Sequence, residues 1–316
     1  MDAELLACVR GALGWGTEVS VSTGARGALG EVWRVDVAGR PYAVKEIFGG
    51  PPVEALVVAE LEIVRRAVEA GVRVPRSHAG RDGRYAIAGP GGTWLRVYDW
   101  ADMRPLALGS CAPKASEARE KAADLGMLFA RLHRCAPAAA HEFNGTAPVS
   151  WYHRPPPWAA WQGPIARQVA PLKALELHPP DPATLIICHR DLHPENVLLD
   201  AAGELIVIDW DNLGPASPSR ELARALFDWY ADENGADLAA MTTLYDAYRA
   251  AGGPARIRSA DDFTMLVASR LNFLLEQTQV TDERHKAWAE REIDEALRIM
   301  PTTQQIDDVL ATLNDR

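Results

Sequence analysis

The chain has 316 residues, of which 48% are hydrophobic and 24% charged, and its formal net charge is −10 at pH 7. This composition excludes a disordered chain and predicts one large globular domain or two lobes. We expect a cytoplasmic protein without membrane or nucleic-acid partners, because an acidic surface repels both and no signal peptide or run of about 18 apolar residues is present.

The four cysteines, Cys8, Cys111, Cys135 and Cys188, lie far apart and show no CxxC spacing. We therefore predict neither a zinc site nor a disulfide framework.

The first hundred residues predict a small antiparallel sheet with one helix against it. After an initial helix, residues 17–48 form strands around a glycine-rich turn and a short turn. Residues 53–71 repeat apolar residues at helical spacing between two prolines and a glycine, which predicts a helix. Residues 83–89 and 93–101 supply two more strands.

The rest of the chain predicts a mainly helical region. Residues 116–135 form an amphipathic helix, and residues 151–161, "WYHRPPPWAAW", predict an irregular segment or a lid. Strands are expected within residues 185–209, and almost everything after residue 212 has helical periodicity.

The stretch "HRDLHPEN" places Asp191 and Asn196 five residues apart on a loop after a strand, and Asp209 ends a later apolar strand. Carboxylate and amide oxygens at strand ends suit a hard cation such as Mg²⁺. Taken alone, the D-x-x-x-x-N spacing is better explained by turn capping.

Three further features favour the functional interpretation. Lys45 lies inside the apolar strand "YAVKEI", where a buried charge needs a carboxylate or phosphate partner, and the following helix offers Glu60 and Glu62. The stretch "GARGALGEV" allows close backbone approach to a polyphosphate through three glycines, Gly24, Gly27 and Gly30. The order of glycine loop, lysine, glutamate, H-x-D-x-x-x-x-N loop and strand-end aspartate is that of protein-kinase-like enzymes.

On these motifs, together with "GVRVPR" and "IDWDN", the chain resembles the aminoglycoside phosphotransferase family over roughly residues 20–246. The resemblance implies an α+β, bilobal protein-kinase-like fold. Residues 1–98 would form an N-lobe with a small antiparallel β-sheet and one helix, and residues 99–316 a larger, mainly helical C-lobe. His193 stands where protein kinases usually have a lysine, which favours the small-molecule branch.

The resemblance also implies a role for each matching residue. Lys45 would contact the nucleotide phosphates with Glu60, preferred over Glu62, as its partner; Asp191 would orient or deprotonate the acceptor hydroxyl. Asn196 and Asp209 would hold Mg²⁺. ATP or GTP would be bound by the glycines Gly24, Gly27 and Gly30 and by the lobe connection with Val97 and Asp99. His189, His193 and Asp211 would support the site.

Two departures from the family pattern stand out. The glycine loop is G-x-x-G-x-x-G, so its phosphate contacts differ from those of protein kinases. Glu221 stands where many relatives have an aspartate, and we expect it to be structural.

The distribution of charge along the chain predicts the charge of the acceptor. The first hundred residues hold 12 acidic and 12 basic residues, so the remainder carries the whole net charge and favours a small cationic acceptor, although solvated helix faces explain single acids equally well. The candidate acceptor-binding residues are Asp228, Asp232, Glu233 and Glu276, with Trp151 and Trp158 for stacking.

We expect a monomer or homodimer that inactivates an aminoglycoside-like antibiotic and so confers resistance. The alternatives are a metabolic kinase for an amino alcohol, amino sugar or nucleoside-like compound, and a nucleotide-binding pseudokinase. A protein kinase is disfavoured, because no A-P-E element follows Asp209.

Overall fold

The computed structural model describes residues 1–26, 30–47, 51–101, 104–105, 112–139, 152–281 and 283–314. The chain divides into two compact units. The first unit comprises Met1–Val68, Arg73–Arg104 and Leu199–Ile208, and the second comprises Glu69–Val72, Pro105–Leu198 and Asp209–Arg316.

The strands and helices of the described residues follow in chain order. The strands are β1 (Val19–Arg26), β2 (Gly30–Val37), β3 (Arg40–Ile47), β4 (Ser77–His78), β5 (Ile87–Ala88), β6 (Trp94–Asp99), β7 (Arg104–Pro105), β8 (Ile186–Cys188), β9 (Val197–Leu199), β10 (Leu205–Val207), β11 (Gly214–Ala216), β12 (Ala231–Asp232) and β13 (Gly235–Ala236). The helices are α1 (Ala3–Leu13), α2 (Glu54–Glu69), α3 (Ala112–Glu120), α4 (Ala122–Cys135), α5 (Gly163–Val169), α6 (Pro218–Tyr230), α7 (Leu238–Ala250), α8 (Thr264–Thr278), α9 (Glu283–Arg298) and α10 (Thr303–Asn314).

The first unit is built on an antiparallel sheet in the order β1-β2-β3-β6-β4, with β5 also paired to β6. Side chains alternate between the two faces of a sheet. One face, with Val44, Leu95 and Val97, forms a hydrophobic core with Leu5 and Val9 of α1. The predicted antiparallel sheet is confirmed, and Lys45 belongs to the other face.

The terminal residues of α1 explain where this helix begins and ends. The Asp2 carboxylate accepts hydrogen bonds from the backbone N–H groups of Glu4 and Leu5 at 3.0 and 2.8 Å, as an N-cap does. Gly14 follows the last turn with a φ of +70°, a left-handed conformation that glycine adopts without strain.

In the second unit, α4 packs closely on α7. A Cβ atom placed on Gly126 of α4 would lie 2.2 Å from the carbonyl oxygen of Leu244, so the close approach of the two helices requires glycine here. The core continues through α6 and α8, whose large side chains Leu222, Leu226, Phe227 and Leu271 are fully buried. The predicted helical C-terminal part is confirmed.

Some boundaries differ from the sequence prediction. The helix expected over 116–135 is interrupted at Lys121, where ψ is +5°, and becomes α3 and α4. The strand expected over 83–89 is shorter and consists only of the two residues of β5. Strand β4 was not predicted, because a strand of two residues is too short to show the alternation of apolar and polar residues. Within the described part of the chain, no helix combines the length and apolar character needed to cross a membrane.

Candidate active site

The two segments that carry the predicted catalytic residues are held together by a short antiparallel pair. Strand β8 ends at Cys188, directly before "HRD", and β11 begins at Gly214, one residue after the end of "DWDN". Cys188 and Gly214 are register partners. The chain therefore leaves β8 next to the place where it enters β11, which brings residues 189–191 close to residues 209–212.

Asp191 lies where these segments meet. One oxygen of its carboxylate accepts a hydrogen bond from Nη2 of Arg224 at 2.9 Å. The other oxygen accepts from Nδ2 of Asn212 at 3.0 Å, and Nδ2 of Asn196 lies 3.4 Å from it. The Asp191 carboxylate is thus held by its own loop, by the segment before β11 and by helix α6.

The charge of Asp191 is stabilised as well as its position. Burial would raise the pKa of this carboxyl, but the neighbouring charge of Arg224, with those of His193 and His189, outweighs burial and holds the pKa below its usual value. The carboxylate is therefore ionised at neutral pH and can accept a hydrogen bond from a hydroxyl group.

Asn196 turns its amide nitrogen towards Asp191. Nδ2 donates to the backbone carbonyl of Asp191 at 2.8 Å and lies 3.1 Å from Nε2 of His193. Since the nitrogen is used in this way, the amide oxygen is directed elsewhere and is the atom suited to a metal ion. His193 contacts both Asp191 and Asn196, since its Nε2 also lies 3.8 Å from the Asp191 carboxylate.

Asp209 adopts a left-handed backbone conformation with a φ of +58°, which is unusual for a non-glycine residue and common at functional sites. Asp209 and Asp211 are both exposed, whereas Trp210 between them is buried. The Trp210 ring packs against the buried His189 ring at a centroid distance of 4.9 Å and an interplanar angle of 56°. This contact favours a packing role for His189, which was expected in a supporting position.

The backbone of the loop is anchored by Glu221 of α6. Its carboxylate accepts hydrogen bonds from the backbone N–H of Arg190 and from Nε2 of His133, the latter at 2.7 Å. Burial would raise the pKa of Glu221, but the hydrogen bond and charge of His133 outweigh burial and lower it. Arg190 itself has a φ of +64°, and its guanidinium lies over the ring of Tyr152 at 4.3 Å.

In the first unit, Gly30 and Lys45 lie side by side. Lys45 is buried, and a Cβ atom on Gly30 would lie 3.4 Å from Cε of Lys45 and 2.3 Å from the carbonyl oxygen of Glu46. A Cβ atom on Gly24 would lie 2.7 Å from the carbonyl oxygen of Val32. Both glycines are thus required by close backbone approach. Gly27 lies outside the described residues.

The buried glutamate of α2 has a partner that the sequence analysis missed. Glu60 accepts two hydrogen bonds, at 2.5 and 2.8 Å, from the guanidinium of Arg96, which is the register partner of Lys45 on β6. Glu62 instead binds Arg65 and Arg66 on the exposed face of α2. Of the two candidate glutamates, Glu60 is the one on the buried face near Lys45.

The lobe-connection residues are tied into the sheet. The Val97 side chain is fully buried in the core under α1, so only its backbone can contact a nucleotide. The Asp99 carboxylate binds His78 at 2.8 Å and Arg40 at 3.1 Å, and its N–H donates to the carbonyl of Arg76. The Asp99 side chain therefore joins the ends of three chain segments.

The predicted acceptor-binding acids do not form one group. Asp228 is held between Arg224 and Arg270, each at 3.0 Å, so its charge is already balanced by two arginines. Its role in binding a cationic acceptor stays a prediction. Glu233 lies 3.4 Å from Arg298 on the surface, and Asp232 accepts from the N–H of Asn234 in the turn between β12 and β13.

The remaining acceptor candidates are placed as follows. Glu276 is exposed on α8. Trp158 is half-buried with the Lys173 ammonium 5.8 Å from its ring centroid, and Trp151 lies outside the described residues.

Three residues with these contacts were not identified from sequence: Arg224 and Asn212 beside Asp191, and Arg96 in the first unit. Asn212 was within the quoted motif "IDWDN", and its distance from Asp191 follows from the pairing of β8 with β11. Arg96 has a signal in common with Lys45, because each is a charged residue within an apolar strand. Arg224 lacks that signal, because other charged residues share its helix face.

The comparisons with known proteins identify a family and a fold for the chain. The model of the phosphotransferase enzyme family (APH) matches residues 20–259. No curated protein matches the chain.

Several solved structures are similar to the chain. An amicoumacin kinase in complex with AMP-PNP, Ca²⁺ and its substrate is 17% identical, with a TM-score of 0.62 over 96% of both chains. A spectinomycin phosphotransferase with ADP and spectinomycin is 14% identical, with a TM-score of 0.64 over 95% of this chain and 98% of that one. A microcompartment-associated aminopropanol kinase is 16% identical, with a TM-score of 0.66 over 92% and 94%. The predicted kinase-like fold is confirmed.

Proposed function

Because the chain belongs to the phosphotransferase enzyme family and is a small-molecule phosphotransferase, we propose that it transfers the γ-phosphate of ATP or GTP to a hydroxyl group of a small cationic molecule. The first candidate is an aminoglycoside-like antibiotic, which phosphorylation in the cytoplasm inactivates, so that the enzyme confers resistance. The observation that carries the phosphotransfer proposal is the convergence of Asp191, Asn196 and Asn212 at the ends of β8 and β11.

Each residue has a role that the chemistry requires. Phosphoryl transfer has a loose transition state, so positioning and charge neutralisation supply most of the acceleration. Lys45 binds the nucleotide phosphates, and Asp191 orients the acceptor hydroxyl and accepts its proton. The Asp191 carboxylate suits this role because it is ionised and held by three neighbours.

A divalent cation fits the donor set. Asn196 offers an amide oxygen and Asp209 an exposed carboxylate, and oxygen ligands of this kind suit Mg²⁺. Mg²⁺ would neutralise charge on the phosphates. The similar amicoumacin kinase was crystallised with Ca²⁺ and a nucleotide analogue, which supports a nucleotide and a divalent cation together.

The preference for a cationic acceptor is supported by acids beside the catalytic loop. Burial and the negative charges of Glu295 and Glu195 raise the pKa of Glu292 on α9, and Glu195 belongs to the loop "HPEN" itself. Arg291 and Arg298 balance part of this charge, since Arg291 lowers the pKa of Glu292 and Arg298 lies 3.7 Å from Glu295. An ammonium group bound near these three carboxylates would relieve the remaining repulsion.

A metabolic kinase acting on an amino alcohol is the second candidate. The similarity to the aminopropanol kinase is as high as that to the antibiotic kinases, and an amino alcohol also combines an amine with a hydroxyl group. The charge beside the catalytic loop is compatible with both acceptors.

The test is ADP formation by the purified protein with Mg²⁺-ATP or Mg²⁺-GTP. The acceptor panel would contain aminoglycosides, spectinomycin and amicoumacin as antibiotics, and choline, aminopropanol, homoserine and amino sugars as metabolites. We expect one cationic antibiotic to accelerate turnover and Asp191→Asn to abolish the acceleration while nucleotide binding persists. If metabolites but no antibiotic accelerate ADP formation, the resistance proposal is contradicted.

A second outcome concerns catalysis as a whole. If the protein binds Mg²⁺-nucleotide but no acceptor is phosphorylated, the nucleotide-binding pseudokinase replaces the enzyme proposal. If nucleotide does not bind, both proposals fail.

A further inference from the structure

A part-buried chain of alternating charges runs within the second unit from Asp191 through α6 to α8. Arg224 of α6 donates from Nη2 to Asp191 at 2.9 Å and from Nε to Asp228 at 3.0 Å. Asp228 in turn accepts from Nη2 of Arg270 on α8 at 3.0 Å, and Nη1 of Arg270 donates to the backbone carbonyl of Ile299. Two acids and two arginines alternate, so the chain of ion pairs is neutral.

The guanidinium of Arg224 is held by the protein on three sides. Its third nitrogen, Nη1, donates to the backbone carbonyl of Arg190, so each of its three nitrogens has an acceptor within the chain. Burial would lower the pKa of Arg224, but the charges of Asp228 and Asp191 outweigh burial and raise it, so the guanidinium is always charged. These three bonds fix the orientation of the guanidinium relative to Asp191.

The arrangement controls geometry at the reacting carboxylate. A planar guanidinium that binds the Arg190 carbonyl and the Asp191 carboxylate together fixes that carboxylate relative to its own loop. Asp228 lies four residues after Arg224 on the same helix and holds the guanidinium from the other side. Arg270 then holds Asp228. The further residues thus act on Asp191 through Arg224.

We propose that Arg224 is a positioning residue for Asp191 and that Asp228 and Arg270 keep Arg224 in its bound conformation. This inference rests on the proposed function, because it concerns the same carboxylate. It assigns Asp228 to the support of catalysis, where the sequence had predicted contact with the acceptor.

Steady-state kinetics of Arg224→Gln and Asp228→Asn distinguish positioning of Asp191 from binding of the acceptor. For positioning, we expect kcat to fall about 100-fold in Arg224→Gln and about tenfold in Asp228→Asn, with the KM values for nucleotide and acceptor unchanged, because small misplacements of a reacting group cost rate rather than binding. If Asp228 bound the acceptor, its substitution would raise the acceptor KM.

The double variant and a matched control complete the kinetic test. Arg224→Gln with Asp228→Asn should lose no more kcat than Arg224→Gln alone, since both act on Asp191 through one side chain. Arg224→Lys keeps the charge and should recover part of the rate. Arg220→Gln alters a buried arginine one turn earlier on α6 and should leave kcat unchanged even if it lowers stability. Equal kcat in Arg224→Gln and the wild type would overturn the proposal.

A crystal structure of Arg224→Gln gives a measurement that needs no acceptor. We expect the Asp191 carboxylate to change its rotamer or its contact with Asn212. An unchanged carboxylate would overturn the positioning role, whereas a wild-type protein that phosphorylates no acceptor would overturn only the proposed function.

Discussion

Arg96 on β6 binds Glu60 of α2 through both terminal nitrogens of its guanidinium, at 2.5 and 2.8 Å, and lies directly opposite Lys45 in the sheet. Arg96 is 2% exposed and Glu60 8% exposed, so the pair is shielded from water. Since Lys45 is the register partner of Arg96, the two cationic side chains are neighbours on one face of the sheet, and the Glu60 carboxylate binds the second of them.

The first prediction concerns the stability of this pair. Glu60→Gln leaves the guanidinium of Arg96 buried without its counter-charge, and removing one partner of a buried ion pair costs about 3–5 kcal/mol. We expect a loss of this size in the free energy of unfolding, measured in urea. Glu62→Gln is the matched control, because Glu62 is on the exposed face of the same helix and should change stability little. Equal effects of the two substitutions would contradict the assignment.

The sequence predicts what is local. The antiparallel sheet, the position of Lys45 within a strand and the placing of Asp191 and Asn196 after a strand follow from hydrophobic periodicity and turn residues. The family motifs assign the roles of these residues, since their spacing along the chain is short and fixed.

The contacts between distant segments could not be predicted. Whether an acidic side chain is available to bind a ligand depends on which arginine forms an ion pair with it in the folded protein. Asp228 is occupied by Arg270, which lies 42 residues away, and Glu60 by Arg96, 36 residues away. Nothing in the spacing of these residues indicates either pairing, because each joins segments that only the tertiary fold brings together, as the packing of α6 against α8 does for Asp228 and Arg270.

The second prediction is a pH dependence of stability due to His153. Burial, together with the charges of Arg220 and Arg190, lowers the pKa of His153 to about 3 from a usual 6.5. Between these two values the unfolded chain binds a proton that the folded chain does not, so stability falls as the pH decreases, by up to about 1.4 kcal/mol per pH unit.

Urea unfolding of the wild type and His153→Leu between pH 7 and pH 4 tests this effect. We expect the variant to lose stability less steeply below pH 6.5. Parallel curves for the two proteins would show that His153 takes up its proton equally in both states.

The third prediction concerns the contact of α4 with α7. Gly126→Ala would place a Cβ atom 2.2 Å from the Leu244 carbonyl oxygen, so the helices must separate, and overpacking of this kind costs about 1–3 kcal/mol. The matched control is Gly11→Ala on α1, where no atom lies within 4 Å of the new Cβ. That substitution should stabilise the protein by about 0.5–1 kcal/mol, because alanine has the higher helix propensity. Thermal unfolding of the two variants should shift the midpoint in opposite directions.

The last prediction tests the contact of Asn212 with Asp191. Nδ2 of Asn212 lies 3.0 Å from the Asp191 carboxylate, so Asn212→Asp places two carboxylates in contact, whereas Asn212→Ala only removes a hydrogen bond. Like charges at this distance repel, which displaces the Asp191 carboxylate or forces one of the pair to take up a proton. We expect Asn212→Asp to reduce kcat at neutral pH by about tenfold more than Asn212→Ala, while both variants bind nucleotide like the wild type. A larger loss in Asn212→Ala would mean that Asn212 acts through its hydrogen bond alone and that the charge balance around Asp191 does not limit the reaction.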